Sequence, residues 1–169
     1  MKMLLPAFAV LLLASGCAGW QKRTDLRAKA PSREQRAEDA IRDFEQQRDG
    51  AQYQAALDRW RQGDAARAEA QLAALVARRP DFADARLRLA EILWARNESS
   101  AEQHFRAVVA AHEASAEAHH GLGLVLDATG RRDEARRHWE RAAELEPANE
   151  AYRATLANLT SSFTVAARD

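Results

Sequence analysis

One cysteine, seven glycines and four prolines are all that 169 residues hold of the types that staple, bend or break a chain. The lone Cys17 excludes an internal disulfide framework and any paired-cysteine metal or redox site. Charge of one sign is missing as well: 25 Lys and Arg stand against 25 Asp and Glu, so no net field draws in nucleic acid or an anionic bilayer. Long apolar runs are absent too. The longest, Met3 to Ala14, falls well short of the roughly 20 residues that span a bilayer. What is present is rich in Ala, Arg and Glu, 47% hydrophobic and 30% charged, which favours helices and a single domain.

The clearest organisation lies from Ala116 to Pro147, AEAHHGLGLVLDATGRRDEARRHWERAAELEP. Before Gly130, Leu122, Val125 and Leu126 fall at helical spacing, with Gly123 as a small residue where a neighbour could press close. After it, Ala135, Trp139, Ala142 and Leu145 give a second helix one apolar face. A lone helical hairpin cannot bury both faces, so the pattern predicts copies. They are there. AQYQAALDRWRQGDAARAEAQLAALVARRP places Gly63, Ala68, Leu72, Leu75 and Pro80 where the later copy has Gly130, Ala135, Trp139, Ala142 and Pro147, and both run 17 residues from glycine to proline. Between them, ADARLRLAEILWARNESSAEQHFRAVVAAHEAS follows the same plan with Leu89-Ala90 and Phe105, but its turn carries Asn97 and is one residue short, and Glu113 replaces the closing proline. A further start at Glu150 carries Leu156-Ala157 and has no second helix.

A period near 34 with a small residue after Leu, then a turn, Ala, an aromatic and Pro, resembles the tetratricopeptide repeat (TPR). The copy at 116–149 matches at every marker; the first departs at Ala55-Ala56 and Arg59, and the second at its turn and proline. The resemblance implies an all-α fold: a short right-handed solenoid of about three hairpins, with repeats at about 49–82, 83–115 and 116–149, a C-terminal helix at 150–160 and a tail at 161–169. About three such units are needed before stacking gives a stable array. Ser32 and Gln35 form a capping-box pattern opening a helix at 32–48, whose stripe of Ala37, Ile41 and Phe44 is read as an N-terminal cap on the array.

Ala68, Ala135, Gly123, Leu72, Phe105 and Trp139 are explained by packing alone. A second stripe on the leading helices is not. Trp60 and Trp94 stand 34 residues apart, as do Tyr53 and Leu87, so stacking would align them. TPR leading helices line a groove that binds a peptide; by resemblance that groove would carry Tyr53, Trp60, Arg61, Leu87, Arg88, Glu91, Trp94, His120 and Asp127. Aromatic and arginine side chains are common interface anchors. The competing reading is that in so short an array the two Trp pack into the core.

At the start of the chain, Lys2 precedes the apolar run and Ser15-Gly16 precede Cys17, the layout of a signal peptide at 1–16. Ala14-Ser15-Gly16-Cys17 resembles the lipobox of bacterial lipoproteins, with Ala14 where that family usually has Leu. The resemblance implies lipid on Cys17, stable membrane anchoring, and, since Ala18 follows the cysteine, an outer-membrane lipoprotein facing the periplasm. Ordinary cleavage after Ala18, which would discard Cys17 and free the protein into the periplasm or outside the cell, is the alternative. Residues 17–31 read as a tether, with Trp20 exposed or at the membrane interface.

Chemistry finds little footing. The five histidines show no HExxH or Cys-His spacing, His119 and His120 point to different sides of one helix, and no serine has a nucleophile setting. No metal, cofactor, nucleic acid or small-molecule substrate is expected. The expected role is a non-enzymatic scaffold for a protein or peptide partner in the envelope, in pilus or secretion assembly, outer-membrane biogenesis or docking of cell-wall enzymes. The alternatives are an unlipidated adaptor and, more remotely, the accessory subunit of a hydrolase.

Overall fold

A computed structural model describes the backbone of residues 30–166 and the side chains through residue 158. The leader, Cys17, Trp20 and most of the tether lie outside the described residues. Seven helices and no strand occur among the described residues: α1 Arg33–Arg61, α2 Ala65–Arg78, α3 Ala83–Ala95, α4 Ala101–Ala111, α5 Ala116–Ala128, α6 Arg132–Leu145 and α7 Glu150–Ala166. The chain divides after Gln47 into two compact units.

In the first unit the capping box forms as its spacing predicts. The Ser32 amide donates to Gln35 Oε1 at 2.8 Å and the Gln35 amide donates to Ser32 Oγ at 3.0 Å. The stripe read as a packing face is open: Ile41 is 60% and Phe44 65% exposed. No break separates the helix expected over 32–48 from the leading helix of the first repeat, because nothing between Arg48 and Ala51 halts α1 and Gly50 is carried within it.

The second unit is three helical hairpins followed by α7. Residues 48–61 of α1 pair with α2, α3 with α4, and α5 with α6. The turn of each hairpin closes the same way. The amides of Asp64, Glu98 and Arg131 donate to the carbonyls of Arg59, Leu93 and Leu126 at 2.9, 2.9 and 2.8 Å. Each turn needs a left-handed residue: Gly63 at φ +83, Asn97 at φ 58 and Gly130 at φ +81. Asn is among the few side-chain-bearing residues that adopt this region readily, which is why the second turn closes without glycine. Its missing residue lies after the turn. Gly63 and Gly130 stand five residues before the buried Ala68 and Ala135, whereas Asn97 stands four before the equivalent buried Ala101. Joints between hairpins repeat as well, with amides of Arg79, His112 and Glu146 donating to Leu75, Val108 and Ala142.

The core lies within and between the hairpins and is made largely of the packing residues read from the period. Ala68, Leu72, Ala135 and Trp139 are 0, 0, 0 and 3% exposed, and Phe105 is 1%. Leading and trailing helices approach because their contact residues are small. A Cβ on Gly123 would stand 2.3 Å from Trp139 Nε1, and one on Gly121 2.3 Å from a Phe105 ring carbon. The equivalents of Gly123 in the earlier copies, Ala56 and Ala90, are 1% and 0% exposed. A smaller apolar cluster of Ala116, Ala142 and Tyr152 docks α7. That helix runs through the residues read as a tail, to Ala166.

Candidate functional site

The leading helices place equivalent residues one after another along one face of the second unit: Tyr53, Leu87 and His120; Leu57, Glu91 and Leu124; Trp60, Trp94 and Asp127. Burial separates them. Leu87 belongs to the core at 6% exposure, so the groove role expected for it is corrected: its side chain is taken up by packing. Tyr53, Trp60, Trp94 and Leu124 are half-buried, each with one edge against the core. Trp60 and Trp94 thus contribute to packing on one side and leave surface open on the other. Tyr53 stacks obliquely on Phe82, in the joint before α3, with ring centroids 5.4 Å apart.

The polar centre of this face is Arg88. Its guanidinium donates to Glu91 on its own helix at 2.7 Å and to Glu117, on α5, at 2.9 and 3.4 Å. One cation therefore serves two carboxylates across two hairpins. Burial works against charge on Arg88, and Glu91, Tyr53 and Glu117 outweigh it, so its pKa is raised. Burial and the neighbouring Glu117 lift Glu91 above the usual carboxylate range in spite of Arg88.

At one end, His120 lies against the Tyr152 ring with centroids 4.8 Å apart and meets Thr155 Oγ1 at 3.3 Å, so α7 occupies the position a fourth leading helix would take. Burial lowers the His120 pKa. Asp127 pairs with Arg132 at 3.4 Å, but its Oδ1 accepts no hydrogen bond. Arg61, at the other end, is exposed and pairs with Asp58 at 2.5 Å along its own helix. Of the expected groove residues, the structure brings Arg88 and Glu91 into one cluster and leaves Arg61 apart from it.

Glu117, Phe82 and Tyr152 belong to this face and the sequence reading missed them. Glu117 opens α5, 29 residues beyond Arg88, and only stacking brings the two together. A further pair went unread: His119 and His138 meet Nδ1 to Nδ1 at 2.9 Å, and His119 Nε2 lies 3.2 Å from the Glu113 carbonyl. A carbonyl only accepts, so His119 carries its proton on Nε2 and takes the hydrogen bond of His138 Nδ1–H. Asp49 is a third. It is 1% exposed, yet receives Arg78 at 2.7 Å, Arg48 at 3.1 Å and Arg79 at 3.2 Å. Among the described residues no three His, Cys, Asp or Glu side chains converge to hold a metal ion, and no helix is long and apolar enough to cross a membrane.

Two family models, both described as tetratricopeptide repeat, match residues 53–102 and 116–149. No curated protein matches the chain. Among solved structures, the backbone is similar to MamA, residues 41 to the end, from Desulfovibrio magneticus RS-1: 25% identity, TM-score 0.62, over 69% of this chain and 66% of that one. This chain thus spans just under two thirds of that MamA segment. It is also similar to the first TPR of Spaghetti (RPAP3) bound to the HSP90 peptide SRMEEVD, at 19% identity and TM-score 0.66, over 70% of this chain and 94% of that one. A third is the Yersinia enterocolitica type III secretion chaperone SycD in complex with a peptide of the translocator YopD, at 15% identity and TM-score 0.62, over 69% and 92%.

Proposed function

The chain is a tetratricopeptide repeat protein, and from that premise we propose that it is a non-enzymatic scaffold that holds a polypeptide partner on its leading-helix face while lipid on Cys17 ties it to the bacterial envelope. One observation carries the binding reading. Tyr53, Trp60, Trp94 and Leu124 recur along one face, packed on their inner edges and open on their outer ones. Rigid aromatic surface of this kind is what interfaces use as anchors. Two of the similar structures, RPAP3 and SycD, hold peptides, which supports the same use here. The anchoring half of the proposal rests on the lipobox-like Ala14 to Cys17.

Trp94→Ala tests the binding face. A photo-crosslinker placed at the exposed Arg61, at the end of the same face, reports captured partner in cells when introduced in the full chain. The expected result is loss of the crosslinked species with a melting temperature lowered by only a few degrees. A crosslink yield unchanged by the substitution would overturn the face.

A further inference from the structure

We infer that the partner of this face is a cationic segment, a stretch of polypeptide carrying lysine or arginine among apolar residues. The inference rests on the binding reading above and adds the chemistry of the occupant. The apolar part of the face is supplied by Tyr53, Trp94 and Leu124. Its charges do not balance. Arg88 lies 2.7 Å from Glu91 and 2.9 Å from Glu117, so the guanidinium is taken up by its own carboxylates and one negative charge is left over. Arg88 is also held from both sides, which leaves it poorly placed to receive an incoming carboxylate.

An ammonium or guanidinium arriving beside Glu91 and Glu117 completes their pairing without displacing Arg88, and its alkyl stem lies along Trp94. An acidic segment would have to break the existing pairs and face the surplus charge. Complementarity of this kind decides which partner is accepted more than how tightly it binds. The raised pKa of Glu91 agrees with a carboxylate that has less compensation than its burial demands.

Fluorescence anisotropy with the full chain in detergent decides it, using three labelled twelve-residue peptides of one Leu- and Ala-rich sequence that carry Lys, Gln or Glu at the same three positions. The Lys peptide is expected to bind about tenfold or more tighter than the Glu peptide, with the gap closing as salt rises. Glu117→Gln should cost the Lys peptide about 2- to 5-fold, the range for a half-exposed pair. Glu117→Lys, at a position 43% exposed, should shift preference toward the Glu peptide with the fold intact by circular dichroism. Equal or tighter binding of the Gln or Glu peptide, or a preference that Glu117→Lys leaves unmoved, would overturn the inference; so would a Lys peptide that does not bind. If the tighter Gln or Glu peptide is lost in Trp94→Ala, the face stands and only its charge chemistry fails. If Trp94→Ala leaves every peptide's affinity unchanged, the face itself fails.

Discussion

Gly123 stays a glycine because Trp139 fills the space its Cβ would need, at 2.3 Å. The same indole donates its Nε1–H to the His120 carbonyl at 3.2 Å, so one residue both fills the interior and satisfies backbone on the leading helix. Trp139→Ala should therefore destabilise the chain by about 3 to 5 kcal/mol, read from urea unfolding; an unchanged midpoint would show that the indole is not a packing element. Asp49 teaches the opposite lesson about burial. Its carboxyl would be pushed up by desolvation, but hydrogen bonds and charge from Arg78 and Arg48 outweigh that and hold it below the usual range. Its arginines are about one third exposed and can return to water when the acid is removed, so the full cost of breaking a buried pair does not apply. Asp49→Ala is expected to cost about 1 to 3 kcal/mol. A loss under a few tenths would place the network among ordinary surface pairs.

At the scale of elements, α5 is the helix on which the third hairpin and α7 both depend. His119 meets His138 on α6, and His120 meets Tyr152 and Thr155 on α7. Burial lowers the pKa of both, and of His138, where His119, Arg106 and Arg137 add to it and Glu134 opposes it. Around His119 the Glu113 carbonyl and charge act against burial, and Arg141 acts with it. Folded values below the ordinary histidine value mean that the unfolded chain takes up protons first. The stability these groups contribute is present above about pH 6.5 and is lost as pH falls through their folded values. Urea midpoints should be highest above pH 7 and drop as pH falls below about 6.5. A midpoint flat across that window would contradict the burial of these rings. Glu102, held to about 2 by Arg131 against burial and with help from Arg106, has the same sign and acts only in stronger acid, below about pH 4.5.

At the scale of the whole molecule, the proposed anchor makes its own prediction: Cys17→Ser should move the protein from the membrane fraction to the soluble fraction, whereas retention on membranes would remove lipid on Cys17 from the account. The repeat period, and with it the three hairpins, was legible along the chain. Ala68, Leu72, Phe105, Ala135 and Trp139 were recognisable as packing residues because a period near 34 puts the same requirement at the same slot in each copy. The left-handed turn at Asn97 kept that period through a missing residue, since the hydrogen-bond closure of the turn tolerates Asn. Leu87 and His120 share one slot and differ in burial, and no local pattern distinguishes them. Arg88 meets Glu117, and Asp49 meets Arg78, across 29 residues, so neither cluster exists until hairpins stack. The sequence by itself therefore determined which elements form and which small and large residues lock them together, because helix period, capping and turn geometry are local. Only the tertiary structure decided which side of the leading helices stays open and that two carboxylates share one arginine there, because burial and charge pairing belong to neighbours that the chain supplies from elsewhere.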